Sequence, residues 1–221
     1  MPITTFFFDL DDTLYPPSSG LWDAIRRRME HYLTERMGIA REDVPTLREK
    51  LYTTYGTTLR GLQMTRGVDT LEYLAYVHDV PLEEFITPDA RIRGVLEQIP
   101  GRKLIFTNAD RHHANRVLAI LGLQGIFEDI IDIMDMAPYC KPERGAFEKA
   151  LQRAGNPDPR TCLMLDDAPR NLATAASLGF ATICVGQPTT GLDACSAQIP
   201  HLSELLTILP RMQMRAEGRD E

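Results

Sequence analysis

The chain has 221 residues, with 24 Lys and Arg against 31 Asp and Glu, a formal net charge of −7. An acidic balance argues against holding a nucleic-acid backbone on a broad basic face, while a small anionic ligand can still meet a local site of opposite sign. At 43% hydrophobic and 25% charged, with 15 Gly and 15 Pro, the composition is globular rather than disordered, collagen-like or coiled-coil.

The first predicted element is Ile3-Thr4-Thr5-Phe6-Phe7-Phe8, a short β-branched and aromatic run ending at Asp9. Such a continuous apolar run is what a strand covered on both faces requires. From Ser18 to Thr87 only helical patterns follow: Leu21 to Met37, Arg41 to Tyr55, Thr70 to His78 and Pro81 to Phe85. A helical block of this length is too long for a loop and reads as an inserted subdomain, hinged near Pro16-Pro17 and Thr87-Pro88. Within it, Tyr55-Gly56-Thr57-Thr58-Leu59-Arg60-Gly61-Leu62 reads either as a tight turn presenting Arg60 or as a plain connection between helices.

Strand-like runs then recur at Lys103 to Thr107, Ile130 to Ile133, Thr161 to Leu165 and Thr182 to Val185. Between them Asp110 can cap a helix carrying Val117, Leu118 and Leu121 and closing at Gly122. Pro142 suits the first turn of a helix with Phe147, Ala150 and Leu151, and another helix covers Asn171 to Leu178 before Gly179. Alternating strands and helices predict an α/β fold, a Rossmann-like doubly wound parallel sheet built from residues 1–17 and 88–210, with the all-α cap 18–87 inserted. Residues 211–221 lack apolar periodicity and read as a mobile tail. The four cysteines, Cys140, Cys162, Cys184 and Cys195, are too scattered for a disulfide framework or a paired zinc site. No stretch approaches the about 20 apolar residues of a membrane span, and Met1 leads straight into the first strand, so a soluble, cytoplasmic protein is expected.

The chemistry concentrates in acidic residues after strands. In an extended chain residues two apart point the same way, so Asp9 and Asp11 can converge at the carboxyl edge of the sheet, where open parallel sheets bind ligands. Two such carboxylates can divide labour, one as nucleophile or metal ligand and one as acid/base, although acidic turns after strands are also common. Asp166-Asp167 follows another strand, and clustering it with Asp9 is costly unless a cation such as Mg²⁺ neutralises the site. Thr107, followed by Asn108, offers a hydroxyl and backbone donors, and Lys141 offers a cation for a phosphate.

Taken together, Phe8-Asp9-Leu10-Asp11-Asp12-Thr13-Leu14, Phe106-Thr107-Asn108, Lys141-Pro142 and Leu165-Asp166-Asp167 with Asn171 resemble the four motifs of the haloacid dehalogenase-like superfamily. The resemblance implies that Asp9 attacks phosphorus to form an aspartyl-phosphate and that Asp11 protonates the leaving oxygen, then activates water. It further implies Mg²⁺ held by Asp9, the backbone carbonyl of Asp11 and Asp167, with Asp166 as a direct or water-bridged helper, and phosphoryl oxygens steadied by Thr107 and Lys141. Asp11 and the second acidic pair favour phosphate over halide chemistry, which needs neither an acid nor a metal.

The cap segment at Tyr55 to Leu62, with Leu14-Tyr15-Pro16, is similar to the pyrimidine 5′-nucleotidase branch, departing from it at Arg66-Gly67-Val68-Asp69, where a His commonly precedes the Val-Asp pair. This implies a small phosphorylated metabolite as partner, foremost a pyrimidine nucleoside 5′-monophosphate, with Asn108, Arg60 and Tyr55 touching it. A sugar phosphomutase or broad sugar-phosphate phosphatase is the alternative, and a catalytically silent binding protein is the reading outside enzymes. Trp22, Tyr55 and Tyr73 either stack on a base or pack a core, His112-His113 opens a helix just after Thr107-Asn108 and reads either as near the site or, foremost, as helix-surface polarity, and His31, His78 and His201 are isolated.

Overall fold

The computed structural model describes residues 1–186, 193 and 195–216, with side chains through Gln213. Six parallel strands form one sheet in the order β3-β2-β1-β4-β5-β6: β1 (Thr5–Phe8), β2 (Arg102–Phe106), β3 (Asp129–Ile131), β4 (Cys162–Asp166), β5 (Ala181–Val185) and β6 (Ala197–Ile199). Alternation within each strand feeds two cores. Phe6, Phe8, Ile105, Leu163, Leu165 and Ile183 face one cluster, while Phe7, Leu104, Phe106, Met164 and Cys184 face the other. Burial on both faces explains why the strands read as unbroken apolar runs.

One face is covered by α5 (Ala90–Gln98), α6 (Arg111–Ile120) and α10 (Leu205–Ala216), the other by α8 (Arg144–Arg153) and α9 (Pro169–Ser177). The chain leaves β1 for β2 and β3 on one side and returns through β4 on the other. The carboxyl ends of β1 and β4 therefore flank the point where winding reverses, the usual ligand crevice of such sheets.

Four helices lie between β1 and α5: α1 (Leu21–His31), continued by a π-helical turn at Tyr32–Arg36, α2 (Val44–Tyr55), α3 (Thr58–Arg66) and α4 (Thr70–Val77). Several expectations are corrected here. Thr57 to Leu62 is no turn: Thr57 Oγ1 accepts from Arg60 N at 3.0 Å and caps α3, and only Gly56, at φ 87°, makes the bend. Gly61 lies inside α3 because Leu51 of α2 packs there; a Cβ would come within 2.6 Å of its Cδ2. Val80, Leu82 and Ile86 pack in the same cluster as Ile92 and Val95 of α5 and Leu21 and Ile25 of α1.

The expected strand to Ile133 stops at Ile131, because Asp132 accepts from Met134 N and Asp135 N and caps a short helix, α7 (Ile133–Met136). The expected tail is helical through Ala216; Met212 is buried, and Gln213 accepts a hydrogen bond from Ile3 N at 2.9 Å. Residues 217–221 of that tail lie outside the described residues. All four cysteines are free, and among the described residues no helix is long and apolar enough to cross a membrane.

Candidate active site

The crevice between β1 and β4 is built around Lys141. Its Nζ donates to Asp9 Oδ1 at 2.7 Å and to Asp166 Oδ2 at 2.8 Å, with the side chain 1% exposed. Burial alone would favour the neutral amine, but Asp166 and Asp9 outweigh it and hold the ammonium above its ordinary pKa. Asn108 aims this lysine: its Oδ1 accepts from Lys141 N at 2.8 Å while its Nδ2 donates to Lys141 O at 3.0 Å. The amide that the sequence suggested for substrate contact is thus spent on the backbone of Lys141. Thr107 is buried at the end of β2, and its hydroxyl oxygen accepts from Ala109 N at 3.0 Å.

Both oxygens of Asp166 are hydrogen-bonded, Oδ2 to Lys141 and Oδ1 to Ala168 N and Asn171 Nδ2 at 2.9 Å each. Asp9, Asp166 and Asp167 offer carboxylate oxygens within 4.8 Å of one another. Burial raises the Asp9 carboxyl most, Lys141 pulls it down and Asp166 pushes it up again, leaving it well above the usual range. Asp167 is likewise raised by burial and by Asp166 and Asp9. One lysine against three carboxylates leaves an excess of negative charge, and these hard oxygen donors fit a divalent cation such as Mg²⁺. Thr13, which the sequence reading passed over, ties the two loops: its hydroxyl donates to Asp9 Oδ2 at 3.3 Å and accepts from Asp167 N at 3.1 Å.

Asp11 sits in a second polar cluster. Its Oδ1 accepts from Tyr15 OH at 2.6 Å and lies 2.9 Å from His113 Nε2. Burial would raise this carboxyl, but His113, by charge and hydrogen bond, and Tyr15 hold it below the ordinary range. His113 is therefore not surface polarity: it is 0% exposed, and its ring stacks on His78 with centroids 4.1 Å apart. His78 Nδ1 in turn meets Asp110 Oδ2 at 2.6 Å, and Asp110 Oδ1 accepts His113 N at the start of α6. A signal for His113 existed, because it shares the buried i, i+4 face of α6 with Val117.

Between these residues and the cap lies a cavity of about 570 Å³, lined on the sheet side by Asp9, Asp11, Thr107, Asn108, Lys141 and Asp167. On the cap side it is lined by Trp22, Arg48, Tyr52, Thr57, Thr58 and Tyr73 among others; Tyr55 and Arg60 are not among them. Tyr55 instead offers its carbonyl to Cys140 Sγ at 3.5 Å, next to Lys141. Arg170 at the start of α9 donates to Gly56 O at 2.7 Å and stacks on Tyr52 at 3.7 Å, so the tip of the cap rests on the sheet domain.

The profile of the haloacid dehalogenase-like hydrolase family matches residues 3–179. A curated relative, Phosphate metabolism protein 8 of Saccharomyces cerevisiae, is 29% identical over 189 residues, covering 79% of this chain and 59% of that protein. The chain thus aligns with less than two thirds of that relative's length. Among solved structures, YfnB of Bacillus subtilis in a magnesium-bound form superposes with a TM-score of 0.65 at 19% identity, covering 95% of this chain and all of that one. The β-phosphoglucomutase of Clostridium difficile superposes with a TM-score of 0.64 at 17% identity, covering 98% of this chain and all of that one. At these identities the structural likeness is one of fold.

Proposed function

The chain belongs to the haloacid dehalogenase-like hydrolase family, and from that premise we propose that it is a Mg²⁺-dependent phosphomonoesterase acting through an aspartyl-phosphate. The observation that carries this reading is the pairing of two differently treated carboxylates two residues apart. Asp9 is bound to a buried lysine, and Asp11 is held by a phenol and an imidazole. Such a division suits a nucleophile beside a proton carrier.

In the first step an Asp9 oxygen bonds to phosphorus as the ester P–O bond breaks, and the departing alkoxide takes the proton of Asp11. In the second, Asp11 removes a proton from water, the hydroxide attacks phosphorus, and the Asp9 carboxylate leaves with inorganic phosphate released. Lys141 and Thr107 steady the charge on the phosphoryl oxygens, which is the main demand of phosphoryl transfer. Asn108 acts one bond further back by fixing Lys141. Mg²⁺, held by Asp9, Asp167 and the carbonyl of Asp11 with Asp166 behind them, would supply neutralisation of the carboxylates and the phosphate.

His113 fits the proton-carrying role of Asp11. Nε2 can donate to the ionised carboxylate or accept from the protonated one. Its Nδ1 has no partner among the described residues, so the tautomer with Nε2–H avoids stranding a buried N–H donor and faces an ionised Asp11 in the free enzyme; the proton that Asp11 gives the leaving oxygen is one it takes up as substrate binds, from the substrate phosphate or from water.

The substrate in this reading is a small phosphorylated metabolite, foremost a pyrimidine nucleoside 5′-monophosphate. The cavity is of a size that takes such ligands, and closure of the cap over it would exclude water from the phosphoryl transfer. Four free cysteines suit the cytoplasm as the place of action. The test is phosphate release from UMP and a panel of sugar phosphates with and without Mg²⁺. Release should require Mg²⁺ and vanish with EDTA and in Asp9→Asn; activity surviving both treatments would overturn the proposal. Interconversion of two sugar phosphates would point to the mutase instead.

A further inference from the structure

On its cap side the cavity above Asp9 is lined by two residues that each hold a buried polar atom without a hydrogen-bond partner among the described residues. Tyr73 of α4 is 1% exposed, and its hydroxyl has no hydrogen-bond partner among the described residues. Arg48 of α2 is mostly buried. Its Nη1 donates to Glu30 Oε1 at 3.1 Å and its Nη2 lies 3.8 Å from Met29 Sδ, but its buried Nε–H has no acceptor among the described residues. The two side chains pack against the same stretch of chain one turn apart, Arg48 at Met29 and Glu30 and Tyr73 at Tyr32. Both line the same cavity as Asp9, Asp11 and Lys141.

Buried donors left without acceptors are few in folded proteins, and each calls for a reason. Packing supplies none for the hydroxyl: the Tyr73 ring meets Tyr32 edge-on at 5.0 Å, a contact that phenylalanine would make equally well. Nor does an ion pair explain Nε, because Glu30 is already engaged through Nη1. Two neighbouring donors on one cavity wall are the complement of a strong acceptor on a ligand.

We propose that Arg48 and Tyr73 are specificity-determining residues that donate together to a carbonyl-type oxygen on the leaving group, at the cap end of the cavity, while the phosphate lies at Asp9 and Lys141. This rests on the phosphomonoesterase reading of the site. The class of substrate it selects is a phosphomonoester whose leaving group carries an acceptor without a hydrogen of its own, such as the carbonyl of a heterocyclic base. A group bearing only hydroxyls is served less well, because it must also place its own hydrogens against a guanidinium that cannot accept one. Pairing a substrate oxygen with otherwise stranded buried donors is also the arrangement that rejects analogues lacking that oxygen most strongly.

UMP and ribose 5-phosphate make the test, since they share the phosphate and the sugar and differ by the base. The full chain with Mg²⁺ should show a higher kcat/KM for UMP. Tyr73→Phe and Arg48→Gln should each lower the ratio of the two kcat/KM values about tenfold, chiefly through KM for UMP. Falls of equal size for both substrates, or no preference in the parent, would overturn the proposal. A second readout does not depend on turnover: UMP should raise the melting temperature of Asp9→Asn, and adding Tyr73→Phe should abolish that rise without lowering the melting temperature of the free protein. A rise unchanged by Tyr73→Phe would overturn the subsite. If neither compound releases phosphate from the parent chain, the phosphomonoesterase reading fails, and the melting shift still decides whether the pair binds a base.

Discussion

His113 Nε2 and Asp11 Oδ1 stand 2.9 Å apart, joining the first helix after β2 to the loop after β1 across 102 residues of sequence. The same oxygen takes Tyr15 OH, so the carboxylate is oriented from two sides while its other oxygen is left for substrate or water. On the proposed reading His113 positions the proton carrier. We expect His113→Ala to lower kcat for alkyl phosphates by about 10²-fold, within the range that general acids supply. The loss should shrink for 4-nitrophenyl phosphate, whose leaving group needs little protonation, and His113→Gln, which keeps a donor, should recover part of it. Equal losses across leaving groups would show that the imidazole serves folding alone.

The acidic cluster predicts an unusual pH profile for stability. Asp9 and Asp167 have folded pKa values raised above their unfolded ones, by burial first and like charge second. In the native state they bind more protons than in the unfolded chain, so the stability these two groups contribute to the metal-free protein is fully present below the ordinary carboxylate range. That contribution is lost as the pH rises through the folded values, up to about 8. Mg²⁺ should reverse the trend by replacing those protons. Melting temperatures from pH 5 to 8, with Mg²⁺ and with EDTA, check it, and a gap between the two curves that does not widen with pH would contradict it.

Lys141 is bound to two buried carboxylates, and Lys141→Met leaves both without their cation. Removing one partner of a buried pair typically costs about 3–5 kcal/mol. Urea unfolding should register a loss of that order, and Asp166→Asn in the same chain should return part of it. Activity should stay absent in both variants.

Gly61 offers a test of the cap that leaves the acidic site untouched. Alanine is the better helix former by about 1 kcal/mol. Here its Cβ would stand 2.6 Å from Leu51 Cδ2 and 2.7 Å from Leu51 Cβ, and contact with a Cβ is not relieved by a rotamer change. We expect Gly61→Ala to destabilise by about 1–3 kcal/mol, and Leu51→Ala to be less harmful in that background than alone. Additive effects would contradict the contact.

The amino-acid sequence by itself determined five of the six described strands, all but β6, and the acidic edge. Strands buried on both faces must be continuous apolar runs, and residues that follow strand ends must gather on one edge, so Phe6 to Phe8 and Asp9, Thr107, Asp166 and Asp167 were legible from local pattern and order. Asp110 was legible as a cap for the same reason, since capping is settled within one turn. What depends on packing was not. Thr57 to Leu62 resembled a turn because Gly56 and Gly61 flank Arg60, whereas Gly61 is small to admit Leu51. His113 looked like surface because an imidazole carries no label for its partner; the hydrogen bond to Asp11 exists only once α6 docks beside β1. Arg48 and Tyr73 joined the cavity wall, and Tyr55 and Arg60 left it, through the way α2, α3 and α4 roll against one another. Local pattern decides which face of an element is apolar; only the tertiary contacts decide which polar groups that burial strands, and those stranded groups are where the chemistry and the choice of substrate are read.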